Sequence, residues 1–191
     1  QPFVVTDYVE TCELLDFAAM SDSTIRDRVK HLRAACRILM HAHTIGVVHG
    51  DLRPATLLVD TEGQVVILDT GIAIALGLDR SIAPGTTGSL ESACCAPESI
   101  FGTRDTRGDI YALGVLGDAL LGGLADQGLR AVLDRAMQND PNERYQSMDA
   151  LASELDRWLH GKPLEAGDGS FITEVRGLAR RHPVASACTI T

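Results

Sequence analysis

The chain has 191 residues, 45% of them hydrophobic, which is enough to form the core of one good-sized domain or two small ones. Its formal net charge of -9 repels phosphate backbones, so we exclude nucleic acid as a partner. Five cysteines, an odd number without CxxC spacing, argue against a disulfide framework and a zinc site and favour the reducing cytoplasm.

The first part of the chain predicts a strand followed by two helices. Residues 3–9 are apolar and β-branched, as in a buried strand, and residues 14–20 favour one or two helical turns. A long helix begins near Ile25 and ends before Gly46, with Ser21 and Ser23 as candidate N-caps. Apolar or small side chains recur on one face of this helix at Val29, Leu32, Cys36, Leu39 and His43.

Two short apolar runs, residues 57–59 and 65–68, flank a turn and predict a small β-hairpin. An aspartate lies on each side of it, Asp51 in the entering loop and Asp69 at the exit. Residues 70–98 are rich in Gly, Ser, Thr and Ala, and so long a connection inside a domain is usually functional or mobile.

The rest of the chain is predicted to be mostly helical. Residues 109–121 form an apolar helix, residues 129–137 an amphipathic one and residues 147–159 another. Residues 161–169 are loop-like, and residues 174–181 form a basic helical segment. The predicted fold class is therefore mainly α (α+β), with a few strands near the start.

The two aspartates beside the hairpin have the chemistry that phosphoryl transfer to a hydroxyl needs. Such a reaction uses a carboxylate as base, a carboxylate that holds magnesium, and a cation near the transferred group. Asp51 would be the base, Asp69 would hold the metal, and Arg53 would reach the phosphate. An aspartate in a loop is more often a cap or turn residue, so it is the joint order of the three that favours a catalytic site.

Residues 49–60, HGDLRPATLLVD, closely resemble the protein-kinase catalytic loop, whose family pattern is HRDLKPANILLD. Asp69 begins DTG, where that family has DFG. Other motifs occur in the family's order. A hinge-like strand at 3–9 precedes the catalytic loop, and APE at 96–98, DIYALG at 109–114 and DPNERY at 140–145 come after it. About residues 1–160 thus resemble the bacterial type of serine/threonine protein kinase.

The resemblance implies a protein-kinase-like C-terminal lobe, helical with a small β-hairpin around the active site, and a partial kinase domain at residues 1–160 that comprises hinge and lobe. It implies ATP and Mg²⁺ as cofactors and a protein substrate. Asp51 and Arg53 would be catalytic, and Asp69 and Thr56 would hold metal, Thr56 standing where the family has Asn. The hinge contacts to ATP would come from Asp7, Tyr8 and Val9.

The same resemblance implies four structural residues. His49 opens the catalytic loop, Asp109 would tie that loop from below, and Glu98 would form an ion pair with Arg144. Candidate phosphorylation sites follow from loop composition, although hydroxyls in loops are commonly just solvated. These sites are Thr86, Thr87, Ser89 and Ser92.

Several departures from the family leave two functions open. No glycine-rich phosphate loop or strand lysine precedes the hinge. Gly50 replaces the Arg of the family's catalytic loop, and Thr70 replaces the Phe of DFG. Residues 122–128 are too few for the helix that docks substrates. We expect a serine/threonine kinase fragment that lacks the ATP-clamping N-terminal lobe and binds ATP poorly. The alternative is a pseudokinase that acts as a binding or scaffold module. A small-molecule phosphotransferase shares an HGD-like loop but lacks the later motifs.

Both ends of the chain suggest a longer parent protein. The N-terminus has no initiating Met and opens in strand-like sequence, so we expect a missing beginning. Residues 161–191 form a basic tail with Arg176, Arg180 and Arg181, similar to the juxtamembrane stretch of bacterial kinases. We therefore expect a membrane anchor beyond residue 191, in a single-pass parent with a cytoplasmic kinase portion.

Overall fold

The computed structural model describes residues 10–70, 89–102 and 105–166. Three sets of predictions lie outside these ranges. They are the hinge strand with Asp7, Tyr8 and Val9, the candidate phosphorylation sites Thr86 and Thr87, and the basic segment at residues 174–181.

A three-stranded antiparallel sheet carries the predicted hairpin. Strand β1 (Thr11–Glu13) pairs with β2 (Leu57–Asp60), which pairs with β3 (Val65–Ile67). In the turn between β2 and β3, the Asp60 carboxylate accepts the backbone N–H of Gln64 at 2.8 Å. The hairpin prediction is confirmed, but the sheet has a third strand that the sequence did not predict, because three residues are too short to show an alternating pattern.

Two helices follow β1, namely α1 (Leu14–Met20) and the long α2 (Ile25–Thr44). The N-cap of α2 is Thr24, so the prediction of Ser21 or Ser23 was wrong. Thr24 is the residue whose extended backbone directly precedes the helix, and its hydroxyl and the Asp27 carboxylate satisfy each other's backbone N–H groups in a capping box.

The later described ranges contain the short helix α3 (Leu90–Ala93), then α4 (Thr106–Leu121), α5 (Gln127–Ala136) and α6 (Met148–Leu159). Single 3₁₀ turns lie at Pro54–Thr56 and Pro97–Phe101. The three predicted helices are confirmed with slightly shifted ends, because Asp105, Asp126 and Ser147 cap them. Only five residues join α4 to α5.

Helix α4 lies at the centre of the core, packed against α2 and α5. Nine of its sixteen residues are buried, and a Cβ atom at Gly114 would lie 2.9 Å from the Cβ of Ala136 on α5. Such close backbone approach explains why glycine occurs inside a helix. The mainly helical fold with a small sheet is confirmed.

The packed structure continues past the domain boundary predicted at residue 160. Leu164 and Ala166 contact the core, and the buried Glu154 carboxylate accepts the backbone N–H groups of Glu165 and Ala166 at 3.2 and 2.9 Å. Residues 161–166 therefore pack with the helices that precede them.

Candidate active site

A buried carboxylate on α4 holds the loop that carries Asp51. Asp109 is 1% exposed, and its two oxygens accept the backbone N–H groups of His49 at 2.9 Å and Gly50 at 2.8 Å. His43, on α2, contacts the same carboxylate through Nε2 at 2.8 Å. Gly50 has φ of 72°, a conformation that glycine adopts without strain. Asp109 thus fixes the start of the loop from below.

The His49 side chain connects this loop to the exit of β3. The ring is completely buried; Nδ1 accepts the N–H of Asp51 at 3.2 Å, and Nε2 lies 2.9 Å from the carbonyl oxygen of Leu68. These two bonds require a neutral imidazole that carries its proton on Nε2. Because Leu68 precedes Asp69, the His49 side chain connects the backbone beside Asp51, the predicted base, with the backbone beside Asp69, the predicted metal ligand.

The loop that follows His49 carries a charged group, formed by Asp51 and Arg53 together with Glu91 from α3. Arg53 Nε lies 3.4 Å from Oδ2 of Asp51, and its Nη1 lies 3.7 Å from Oε1 of Glu91 on α3. The side chains of Asp51 and Arg53 are 22% and 24% exposed, whereas that of Glu91 is 56% exposed. A partly buried carboxylate beside a guanidinium is suited to orient a hydroxyl and to stabilise negative charge on a phosphoryl group.

The Thr56 hydroxyl is occupied by the backbone of the 3₁₀ turn. It accepts the N–H of Arg53 at 3.0 Å and lies 3.0 Å from the carbonyl oxygen of the same residue, and Thr56 as a whole is 1% exposed. A hydroxyl has one proton and two lone pairs, so little coordinating capacity remains. This geometry favours a structural role for Thr56 over the metal role that the sequence suggested.

Asp69 is an exposed carboxylate at the end of the hairpin. Its φ of 59° is left-handed, a conformation uncommon outside glycine and frequent at functional sites. Among the described residues, no three His, Cys, Asp or Glu side chains form a metal-binding group. Mg²⁺ in nucleotide enzymes is held by one or two carboxylates together with phosphates and water, and Asp69 fits that mode of binding.

A buried ion pair lies under the segment that follows α3. Arg144 is 1% exposed, and its two terminal nitrogens donate to the two carboxylate oxygens of Glu98, each at 2.7 Å. It also donates to the carbonyl oxygens of Arg107, Gln138 and Asn139. The structure therefore brings Glu98 and Arg144 together as the sequence suggested, in the bidentate geometry that makes such pairs strong.

Ser89 and Ser92, the described candidates for phosphorylation, belong to the cap of α3. The Ser89 hydroxyl oxygen accepts the N–H of Ser92 at 3.2 Å, and the two hydroxyl oxygens lie 3.0 Å apart. The local geometry gives the Ser89 hydroxyl a capping role at the start of α3.

Two residues of the site were missed by the sequence interpretation. His43 was assigned only a place on the apolar face of α2, although a histidine at a core-facing position needs a polar partner and could have been flagged for that reason. No sequence pattern identified Glu91 as a site residue, because nothing in the neighbouring sequence shows that α3 faces Arg53. His43 and Asp109 are 66 residues apart, so their contact depends on the packing of α2 against α4.

Comparison with known proteins agrees with this geometry. The model of the protein kinase domain family matches residues 1–125, about two thirds of the chain. The chain belongs to the protein kinase family.

Its relatives include bacterial serine/threonine kinases. A probable serine/threonine-protein kinase of Streptomyces coelicolor is 26% identical over 86% of this chain, and PknB of Mycobacterium tuberculosis is 27% identical over the same share. PknD of Chlamydia caviae is 27% identical over 80% of the chain. The chain spans 29%, 32% and 21% of the lengths of these three proteins. None of the helices in the described ranges is both long and apolar enough to span a bilayer.

Proposed function

We propose that the protein containing this chain is a serine/threonine protein kinase that transfers the γ-phosphoryl group of ATP to Ser or Thr hydroxyls of a protein substrate. The observation that carries the proposal is the fixed arrangement of the two aspartate loops. Asp109 holds the backbone at His49 and Gly50, and His49 links the Asp51 amide to the Leu68 carbonyl beside Asp69. Such preorganisation is what a phosphoryl-transfer site requires.

In this proposal each of the site residues has a separate role in the reaction. Asp51 would accept or orient the proton of the substrate hydroxyl, and Arg53, whose Nε lies 3.4 Å from Asp51, would stabilise negative charge on the transferred group. Asp69 would hold Mg²⁺, which when bound neutralises charge on the nucleotide phosphates. The predicted hinge contacts of Asp7, Tyr8 and Val9 to ATP remain part of the proposal, as do a cytoplasmic kinase portion and a membrane anchor beyond residue 191.

The test compares Asp51→Asn with the wild-type sequence in the full-length protein, using transfer of labelled γ-phosphate from ATP to a general protein substrate. The amide keeps the size of the side chain and removes its basicity, so we expect a loss of about 100-fold or more, the usual contribution of a general base. Asp118→Asn, which changes an exposed aspartate of α4 paired with Arg130, is the matched control. Equal phosphate incorporation by Asp51→Asn and the control would refute the proposal.

A second candidate function is that of a pseudokinase, a binding or scaffold module without turnover. The observation that favours it is the Thr56 hydroxyl, which is buried and bonded to the backbone where the family places a metal-binding Asn. Magnesium-dependent ATP binding to the full-length protein separates the two functions. Binding that Asp69→Asn abolishes, together with turnover, supports the kinase; absence of nucleotide binding leaves only the scaffold.

A further inference from the structure

Within the described part of the chain, Arg53 contacts two carboxylates, and they differ in how easily another anion can displace them. Asp51 is 22% exposed and belongs to the same loop as Arg53, where its backbone is held by His49. Glu91 is 56% exposed and reaches Arg53 from a different segment, with its Oε1 at 3.7 Å from Nη1. A long contact to an exposed carboxylate is weak, so Glu91 is the partner that another anion can replace.

The segment that presents Glu91 is anchored independently of this contact. Leu90 packs against the core, Cys94 is buried, and Ser89 caps α3. The Glu91 side chain can therefore leave Arg53 while α3 remains in place. The contact between Glu91 and Arg53 is therefore not needed to hold the segment in place.

An incoming phosphoryl group would meet a guanidinium that already faces carboxylates at Nε and Nη1. Arginine binds phosphate best when two of its N–H groups point at two oxygens in parallel. With Nε directed to Asp51, bidentate binding requires Nη1, the nitrogen beside Glu91. Phosphate and the Glu91 carboxylate thus compete for one position.

We propose that Glu91 regulates Arg53 by competition: its carboxylate pairs with the guanidinium in the resting enzyme and is exchanged for a phosphoryl oxygen when the reacting group binds. This role rests on the proposed function, since it assigns Arg53 to the phosphoryl group. It makes Glu91 a positioning residue, which acts through Arg53 and does not itself touch the reacting atoms.

The test is a titration of the full chain with inorganic phosphate, followed by NMR of the Arg53 side-chain Nε–H. Glu91→Gln removes the competing charge and should raise the affinity of Arg53 for phosphate about two- to fivefold at low salt, the range that an exposed ion pair can account for. The difference should shrink at 1 M salt, because solvent-exposed charges are then screened within about 3 Å.

The controls separate competition from general electrostatics and from loss of folding. Glu62→Gln removes the same charge from the exposed hairpin turn, where Glu62 contacts Gln64, and should leave the phosphate affinity unchanged. Arg53→Ala should abolish the phosphate-dependent shifts around the loop. Equal affinity in wild type and Glu91→Gln, or an equal gain in Glu62→Gln, would overturn the inference. Because the titration uses no ATP and no turnover, it gives an answer even if the kinase activity fails its own test.

Discussion

Replacing Asp109 by Asn tests whether one buried carboxylate holds the catalytic loop. The carboxylate accepts hydrogen bonds from the backbone of His49 and Gly50 and contacts Nε2 of His43, all within 2.9 Å. Asparagine has the same size but only one acceptor oxygen, so at least one N–H group faces another donor. A buried donor without an acceptor costs about 1–3 kcal/mol, and we expect the free energy of unfolding to fall by about 2 kcal/mol.

The measurement is urea unfolding followed by the fluorescence of Trp158, the only tryptophan of the chain. Asp118→Asn is the control, because it changes an exposed aspartate on the same helix, and it should cost no more than about 1 kcal/mol. Hydrogen exchange at the Gly50 amide should accelerate only in Asp109→Asn. A loss of stability within about 0.5 kcal/mol of the control, the usual range for surface substitutions, would refute the reasoning.

Three further outcomes follow from packing and burial. Burial raises the pKa of the Cys94 thiol to about 12, so the thiol stays protonated at pH 8 and iodoacetamide should label it only after unfolding. Rapid labelling of Cys94 in the native protein would contradict this prediction. Gly114→Ala places a Cβ atom 2.9 Å from that of Ala136 and should lower the unfolding free energy by about 1–3 kcal/mol; a raised Tm would contradict it. Glu154→Gln weakens the hydrogen bond to the N–H of Ala166, whose amide should exchange faster, and unchanged exchange would show that the carboxylate does not hold this segment.

Helix positions and the catalytic motif were accessible from sequence because both are local properties. The apolar face of α2 is read from residues three or four apart, and all five buried positions of that helix lie on it. Asp51, Arg53 and Asp69 were recognised from their order alone, and the structure places Asp51 beside Arg53 in one short loop.

The sequence was less informative where the local structure depends on the backbone conformation or on contact with a distant segment. Thr24 caps α2 because its own backbone is extended at the helix start, and composition does not distinguish it from Ser23 and Ser21, one and three residues earlier. Strand β1 exists because β2 pairs with it, and residues 11–13 alone carry no strand pattern. The role of Thr56 also depends on the local backbone, since its hydroxyl is hydrogen-bonded to the turn that contains it, which favours a structural role over metal binding.

The sequence by itself determined the family, the helical lobe and which aspartates are the candidates for the site, namely Asp51 and Asp69. Motif order and helical periodicity are local properties of the sequence, so they can be recognised without the fold. Only the tertiary structure decided how these aspartates are held and what they face. His43 reaches Asp109 across 66 residues, and Glu91 reaches Arg53 from a separate helix. Such contacts form only when the core brings distant helices together, so the pairing of charges in the site is a consequence of packing.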